Sequence, residues 1–357
     1  MDPQRSSDHR SQLRHDPIGH FPAATVACFD PTCGELPRRQ LDADRFSQLL
    51  EAYQSAGVES VLIAASTGHG HLRTPDELAD WFTLAHEIAV PRLVKLALLR
   101  PEDGLQTNLA LLDQLAAQDY LAVFFRPGTD LRREASVDEQ IDQLQPLLEA
   151  ASQRGLPTGL YSIPDVSGVP LHPEAAARLA AGRAGESLVA IKVTEADYDA
   201  STRRFLATPG LERLKIVQGW DTHLARALQD GPQFDPLGRP RCGITSGPMG
   251  FAVYQYQHLL AAAARHDWPE VALAGEAVSQ LFRAMQDDPG KFADLQRAKY
   301  VMGLGQPLLG TVTTAQAGRL LQALESLPRE ADRQRLARSL NLLGDGPYHQ
   351  QLTQWSA

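Results

Sequence analysis

Eight short, nearly uninterrupted apolar runs punctuate this chain before residue 246, and segments with helical spacing separate them. The runs are residues 23–29, 59–65, 93–99, 120–125, 157–161, 188–192, 214–217 and 242–245. Val-Leu-Ile-Ala-Ala, Leu-Ala-Val-Phe-Phe and Leu-Val-Ala-Ile lack the apolar/polar alternation of a strand with one face in water. They read as strands of a parallel sheet buried on both faces. The intervening segments carry the helical period: Phe46, Leu49, Leu50 and Tyr53 share one face of residues 42–56. Thr74-Pro75-Asp76-Glu77 combines an N-cap, a Pro at the first helical position and a Glu three residues after the cap. Eight strand–helix units in about 240 residues predict a closed (β/α)8 barrel rather than a doubly wound open sheet. No Gly-x-Gly-x-x-Gly follows the first strand, which weakens a dinucleotide-binding alternative.

The flanks read differently. Residues 1–21 are polar without periodicity and predict a disordered arm; residues 22–265 hold the barrel. From Phe251 to about Leu342 the chain is rich in Ala and Leu, with breaks at Asp288-Pro289-Gly290 and Gly303 to Pro307. This predicts the eighth helix and then, over 266–345, a C-terminal bundle of about three helices packed on the barrel, its apolar stripes serving as core. Residues 231–241 look like an insertion before the eighth strand, expected at the surface.

Composition removes several functions. With 34 Lys+Arg against 43 Asp+Glu, the net charge of −9 disfavours a nucleic-acid partner. No apolar run approaches the roughly 18 residues of a membrane span, and the first twenty residues contain no apolar core of a secretory signal. Cys28, Cys33 and Cys242 are odd in number and scattered, as for reduced thiols in a cytoplasm. The expectation is a cytoplasmic enzyme.

In a barrel of this kind the chemistry gathers at the C-terminal ends of the strands. The second strand runs into Ser66-Thr67-Gly68, two hydroxyls and a glycine whose turn can hold a carboxylate, or can simply cap the strand. The fifth ends on Tyr161, a proton relay in the mouth or an aromatic closing the core. The sixth contains Lys192. An ammonium inside an apolar strand is costly, and desolvation lowers its pKa until a neutral amine can attack a carbonyl; the alternative is a lysine that reaches water or pairs with Glu195.

Together and in this order, these segments resemble the dihydrodipicolinate synthase and N-acetylneuraminate lyase superfamily of class I, lysine-dependent 2-oxo acid aldolases and dehydratases. Ser66-Thr67-Gly68 matches that family's Gly-(Ser/Thr)-Thr-Gly-Glu turn. Tyr161-Ser-Ile-Pro-x-x-Ser-Gly168 resembles its Tyr-Asn-x-Pro-x-x-(Ser/Thr)-Gly stretch, and Ala190-Ile191-Lys192 its Gly-Ile-Lys. Gly219-x-Asp221 and Ser246-Gly247 resemble its Gly-x-Asp and Ile-Ser-Gly after strands seven and eight, and the likeness spans roughly residues 21–330.

The resemblance implies a Schiff base between Lys192 and the ketone of pyruvate or a 2-oxo-3-deoxy sugar acid, with Tyr161 as proton relay. Ser66, Thr67 and Gly68 would hold the carboxylate. Gly219, Asp221, Thr245 and Ser246 would line the remaining pocket. It implies no metal or organic cofactor, and a homo-oligomer, dimer or tetramer.

The departures narrow this. His69 stands where the family has Glu, Ala27 where it has Thr, and Phe124-Phe125-Arg126 where it has Pro-Tyr-Tyr. Val166 replaces the Arg with which the synthase branch binds its aldehyde's carboxylate, which argues against lysine biosynthesis. Two other readings stand beside the lyase: a catalytically impaired relative that binds a 2-oxo acid as a sensor or assembly partner, and a metal-dependent amidohydrolase-type barrel using His69 and His71.

Overall fold

The computed structural model of the protein describes residues 3–32, 39–286 and 294–356, with side chains from residue 7 onward. Cys33 and the Asp288-Pro289-Gly290 break lie outside the described residues. Eight parallel strands close into a barrel in chain order: β1 (Ala24–Ala27), β2 (Ser60–Ile63), β3 (Val94–Leu99), β4 (Ala122–Phe125), β5 (Thr158–Ser162), β6 (Leu188–Val193), β7 (Lys215–Gln218) and β8 (Cys242–Ser246). β8 returns to pair with β1 through Thr25 opposite Thr245, so no sheet edge is left open. This is the (β/α)8 barrel that the alternating runs predict, with each strand inside its expected run or within a residue of it.

Alternation along each strand sends one set of side chains inward and the other against the helices. Leu62, Leu96, Leu98, Phe124, Tyr161, Ala190 and Val217 form the buried interior cluster, while Val61, Ile63, Leu99, Phe125, Ile191 and Ile216 belong to the larger core between barrel and helices. The capping box at Thr74 is present, its hydroxyl accepting from the Glu77 amide while the Glu77 carboxylate accepts from the Thr74 amide.

The N-terminal segment departs from expectation. Residues Pro3–His15 form a helix, and the chain then turns over the base of the barrel. Leu13 and Phe21 are buried in the interior cluster, with the Phe21 ring edge-on to Phe124 at 6.0 Å. Arg10 donates to the Tyr120 carbonyl at 2.9 and 2.7 Å, and Lys215 Nζ donates to the Ile18 carbonyl at 3.3 Å. Two isolated apolar residues in a polar segment carry no periodic signal, yet they suffice to plug an apolar hole. Leu13→Ala is therefore expected to cost about 2–3 kcal/mol, seen as a lower urea midpoint with an unchanged m-value.

The C-terminal part is also more extensive than three helices. After the eighth barrel helix (Val253–Ala264) the described residues form Trp268–Met285, Leu295–Val301, Thr314–Glu325, Glu330–Leu340 and His349–Ser356. The 231–241 insertion lies at the base, before β8, where Arg241 is fully buried and donates to the carbonyls of Leu206 and Leu211 at 2.7 and 2.5 Å. It does not reach the catalytic end.

Candidate active site

At the C-terminal end of the strands lies a cavity of about 520 Å³. Its walls include Ser66, Thr67, Tyr161, Lys192, Gly219, Asp221 and Thr245, seven of the nine residues singled out from the sequence. The register explains the meeting. Lys192 on β6 lies opposite Tyr161 on β5 and Val217 on β7, so the inward positions of three adjacent strands share one level.

Lys192 is 4% exposed, with its Nζ over the Tyr161 ring, 4.2 Å from the centroid. Burial pushes its pKa down to about 7, against the opposing pull of the Asp221 charge. A substantial fraction of the amine is thus neutral near pH 7, which a nucleophile toward a ketone requires. Burial pushes the Tyr161 phenol upward, so it keeps its proton; its hydroxyl lies 3.2 Å from Thr194 Oγ1.

The Ser66 hydroxyl is buried and makes no hydrogen bond among the described residues, although Ser66 belongs to the cavity wall. A buried hydroxyl without a partner is costly, and an incoming carboxylate oxygen would satisfy it. Thr67 lies beside it, its carbonyl accepting from Gln296 Nε2 at 2.8 Å.

Two of the nine residues stand behind the wall. A side chain at Gly68 would meet the Cys28 carbonyl at 2.6 Å and the Trp81 ring at 2.7 Å, so this glycine lets the turn pack against β1. Ser246, one residue past the inward-facing Thr245, points away from the interior and donates to Asp221 Oδ1. Tyr256, from the eighth helix, donates to the same oxygen. Asp221 is half-buried as a residue, but the two hydroxyls enclose its carboxyl, and burial pushes its pKa up to about 6.

Gly219 is required by close approach. A Cβ there would lie 2.1 Å from Thr194 Oγ1, 3.1 Å from the Thr245 carbonyl oxygen and 3.2 Å from Lys192 Cε. Gly219→Ala is expected to displace Thr194 and the lysine stem and to slow covalent capture of pyruvate by about 10- to 100-fold, measured by timed reduction and mass spectrometry; an unchanged rate would contradict the packing.

Several wall residues escaped the sequence reading. Thr194 was legible in principle, since it lies two residues beyond Lys192 on the same strand face. Trp220, Phe282 and Leu295 were not: Phe282 and Leu295 come from the C-terminal helices, whose apolar stripes look like any core. The fourth-strand substitution is equally informative. Arg126 is buried and paired with Glu102, so β4 brings no hydroxyl to the cavity.

His69 and His71 lie off this cavity with ring centroids 6.0 Å apart, and His69, in the left-handed region at φ 57°, is buried near Asp30. Burial, with Lys299 and Arg73 nearby, pushes its pKa down to about 4. Among the described residues no three His, Cys, Asp or Glu side chains are grouped to hold a metal.

Fold and cavity together define a (β/α)8 barrel with a desolvated lysine at the end of its sixth strand. Solved structures share this fold over nearly their whole length. A prophage protein of the dihydrodipicolinic acid synthase family from E. coli K12, in complex with pyruvate, aligns with a TM-score of 0.72 at 18% identity, covering 85% of this chain and 98% of that one. The 4-hydroxy-tetrahydrodipicolinate synthase of Methylacidiphilum fumariolicum SolV gives 0.71 at 18%, covering 90% and 98%. A Sulfolobus solfataricus 2-keto-3-deoxygluconate aldolase variant, in complex with L-2-keto, 3-deoxy-galactonate, gives 0.69 at 14%, covering 91% and 100%. The sequence matches no family model and no curated protein sequence. No described helix is long and apolar enough to cross a membrane.

Proposed function

We propose that this protein is a class I lyase of the dihydrodipicolinate synthase and N-acetylneuraminate lyase superfamily, forming a Schiff base between Lys192 and a 2-oxo acid. The observation that carries this reading is the buried Lys192 amine, its pKa drawn down to about 7, in a cavity it shares with Tyr161 and the unpartnered Ser66 hydroxyl. The protonated imine is an electron sink: it accepts the electron pair released when the bond between C3 and C4 of a 4-hydroxy-2-oxo acid breaks, or when a proton leaves C3. Ser66 and Thr67 hold the carboxylate, and Gly219, Asp221 and Thr245 line the side that receives the rest of the substrate. Pyruvate or a 2-oxo-3-deoxy sugar acid suits this layout, and the working assembly is a cytoplasmic homo-oligomer.

The decisive measurement is reduction with borohydride in the presence of pyruvate, followed by peptide mass analysis, alongside a panel of 2-oxo-3-deoxy sugar acids assayed for pyruvate release. An adduct on Lys192 with pyruvate release supports the lyase. The Arg126–Glu102 pair in place of a fourth-strand hydroxyl favours a second reading, a 2-oxo acid sensor; an adduct with no turnover of any panel member would select it. Absence of an adduct with every 2-oxo acid tried would remove both.

A further inference from the structure

The cavity wall that holds Lys192 carries two groups that could move a proton, and they present themselves differently. From β5, Tyr161 offers its ring face to Nζ, while its hydroxyl is bonded to Thr194. From the turn after β7, Asp221 is clamped by two neutral hydroxyls, Ser246 on β8 and Tyr256 on the eighth helix. The two oxygens lie 2.9 Å from each other, and both donate to Oδ1. Oδ2 takes neither hydroxyl, and the residue as a whole belongs to the cavity wall.

The choice of clamp matters. A guanidinium on this carboxyl would hold it ionised far below neutral pH. Among the described residues no Lys or Arg forms an ion pair with Asp221, and two hydroxyls orient it while leaving it able to take up and release a proton.

We propose that Asp221 is the catalytic acid–base of imine formation at Lys192, with Ser246 and Tyr256 as its positioning residues. This rests on the Schiff-base reading above and adds a step to it. The neutral amine attacks C2 of the 2-oxo acid: the N–C2 bond forms and the carbonyl π pair moves to oxygen. Asp221, which enters protonated, gives its proton to that oxygen and takes one from the new ammonium, so the carbinolamine forms with the carboxyl protonated again. The protonated Asp221 carboxyl then donates to the carbinolamine hydroxyl. The C2–O bond breaks, water leaves, and the nitrogen lone pair completes the C=N⁺ bond. Asp221 ends as a carboxylate beside the cationic imine, which it stabilises, and takes the proton back when the imine is hydrolysed.

The charged groups around Asp221 are few. Lys192 faces it from β6; His223, on its own turn, is bonded to the Ala196 carbonyl; Arg283, on the helix over this turn, is paired with Glu276; Asp294 and Asp165 lie on the cavity wall. Of these, Lys192 is the one whose charge acts on Asp221, favouring its carboxylate.

The test uses pyruvate with cyanoborohydride and follows the rate of adduct formation on Lys192 by intact mass across pH. Asp221→Asn is expected to slow trapping by about 100-fold or more while circular dichroism stays unchanged, and Tyr161→Phe to slow it less. Tyr256→Phe removes a donor that favours the carboxylate, so the pH–rate profile should move up by about half a pH unit or more; a purely structural tyrosine would leave the profile in place. Trapping by a folded Asp221→Asn variant at the wild-type rate would overturn the proposal. So would an unmoved profile in Tyr256→Phe, which also decides the matter if Asp221→Asn does not fold. A wild-type protein that no 2-oxo acid labels would instead refute the Schiff-base reading beneath it.

Discussion

Lys192→Met is expected to abolish reductive labelling by pyruvate and to lower any lyase turnover by at least about 10⁴-fold, because the amine is the covalent partner and, among the described residues, no other lysine lines the cavity. Methionine nearly conserves the volume of the lysine stem, so the cavity keeps its shape. The pH dependence has a definite sign. Lys192 titrates near 7 in the folded chain, so labelling of the wild type should fall as pH drops below about 7 and the amine protonates. Stability follows the same shift. The folded pKa lies below the unfolded value of about 10.4, so between these two values the unfolded chain binds more protons and the wild type gains stability as pH rises. Below about 7 the full burden of the buried ammonium is present. Lys192→Met removes it and should raise the unfolding free energy at pH 6–7 by roughly a few kcal/mol, read as a higher urea midpoint, with the advantage shrinking toward pH 10. Persistent labelling of the variant at another lysine would defeat the assignment.

The largest expected loss of stability comes from Asp30→Asn. Asp30 is completely buried after β1 and balances two cations that are buried with it. Arg73 Nη2 lies 2.5 Å from one carboxylate oxygen and Lys299 Nζ 3.7 Å from the other, all three side chains being inaccessible to water. Burial alone would raise the Asp30 pKa, but Lys299 and Arg73 outweigh it and hold the group below the usual carboxylate range. Asparagine keeps the shape and removes the charge, leaving Lys299 without its carboxylate and Arg73 with only Glu77, 3.9 Å away. Breaking a buried pair on one side costs about 3–5 kcal/mol, and here two cations lose the same carboxylate, so the upper end is expected in urea or thermal unfolding. Because the Asp30 pKa is depressed, its contribution is present above the unfolded value of about 3.9 and is lost as pH falls through the folded value. The difference between wild type and variant should therefore shrink at strongly acid pH. A variant as stable as the wild type at pH 7 would show that the cluster does not hold the structure.

The same cluster reaches the site. Lys299 belongs to helix Leu295–Val301, which also carries Gln296, bonded to the Thr67 carbonyl, and Leu295, on the cavity wall. Loosening Asp30 would thus disturb the turn that presents Ser66 and Thr67 as well as global stability.

How much of this was legible follows from where each signal resides. The eight strands could be read because a strand buried on both faces leaves a local mark, a short apolar run between turn residues. Lys192 could be found because a charge inside such a run is locally anomalous. The turn residues Ser66 and Thr67, and Gly219 and Asp221, fall at strand ends, which the barrel's geometry makes functional. Other features left no such mark. Leu13 and Phe21 look like scattered apolar residues in a polar arm, and only the open base of the barrel gives them a place to bury.

By itself, then, the chain's sequence determined the order and number of strands, the face each inward residue takes and the lysine that breaks the apolar pattern. These depend on burial and on periods of two and 3.6, which neighbouring residues express together. Only the tertiary structure decided that Tyr256 and Ser246 would clamp Asp221, that the C-terminal helices would close one wall, and that the N-terminal helix would seal the base. Tyr256 lies 35 residues beyond Asp221, and Lys299 lies 267 beyond Thr32, to which it donates. Such meetings are set by how helices pack on a closed sheet, a geometry that no local period encodes.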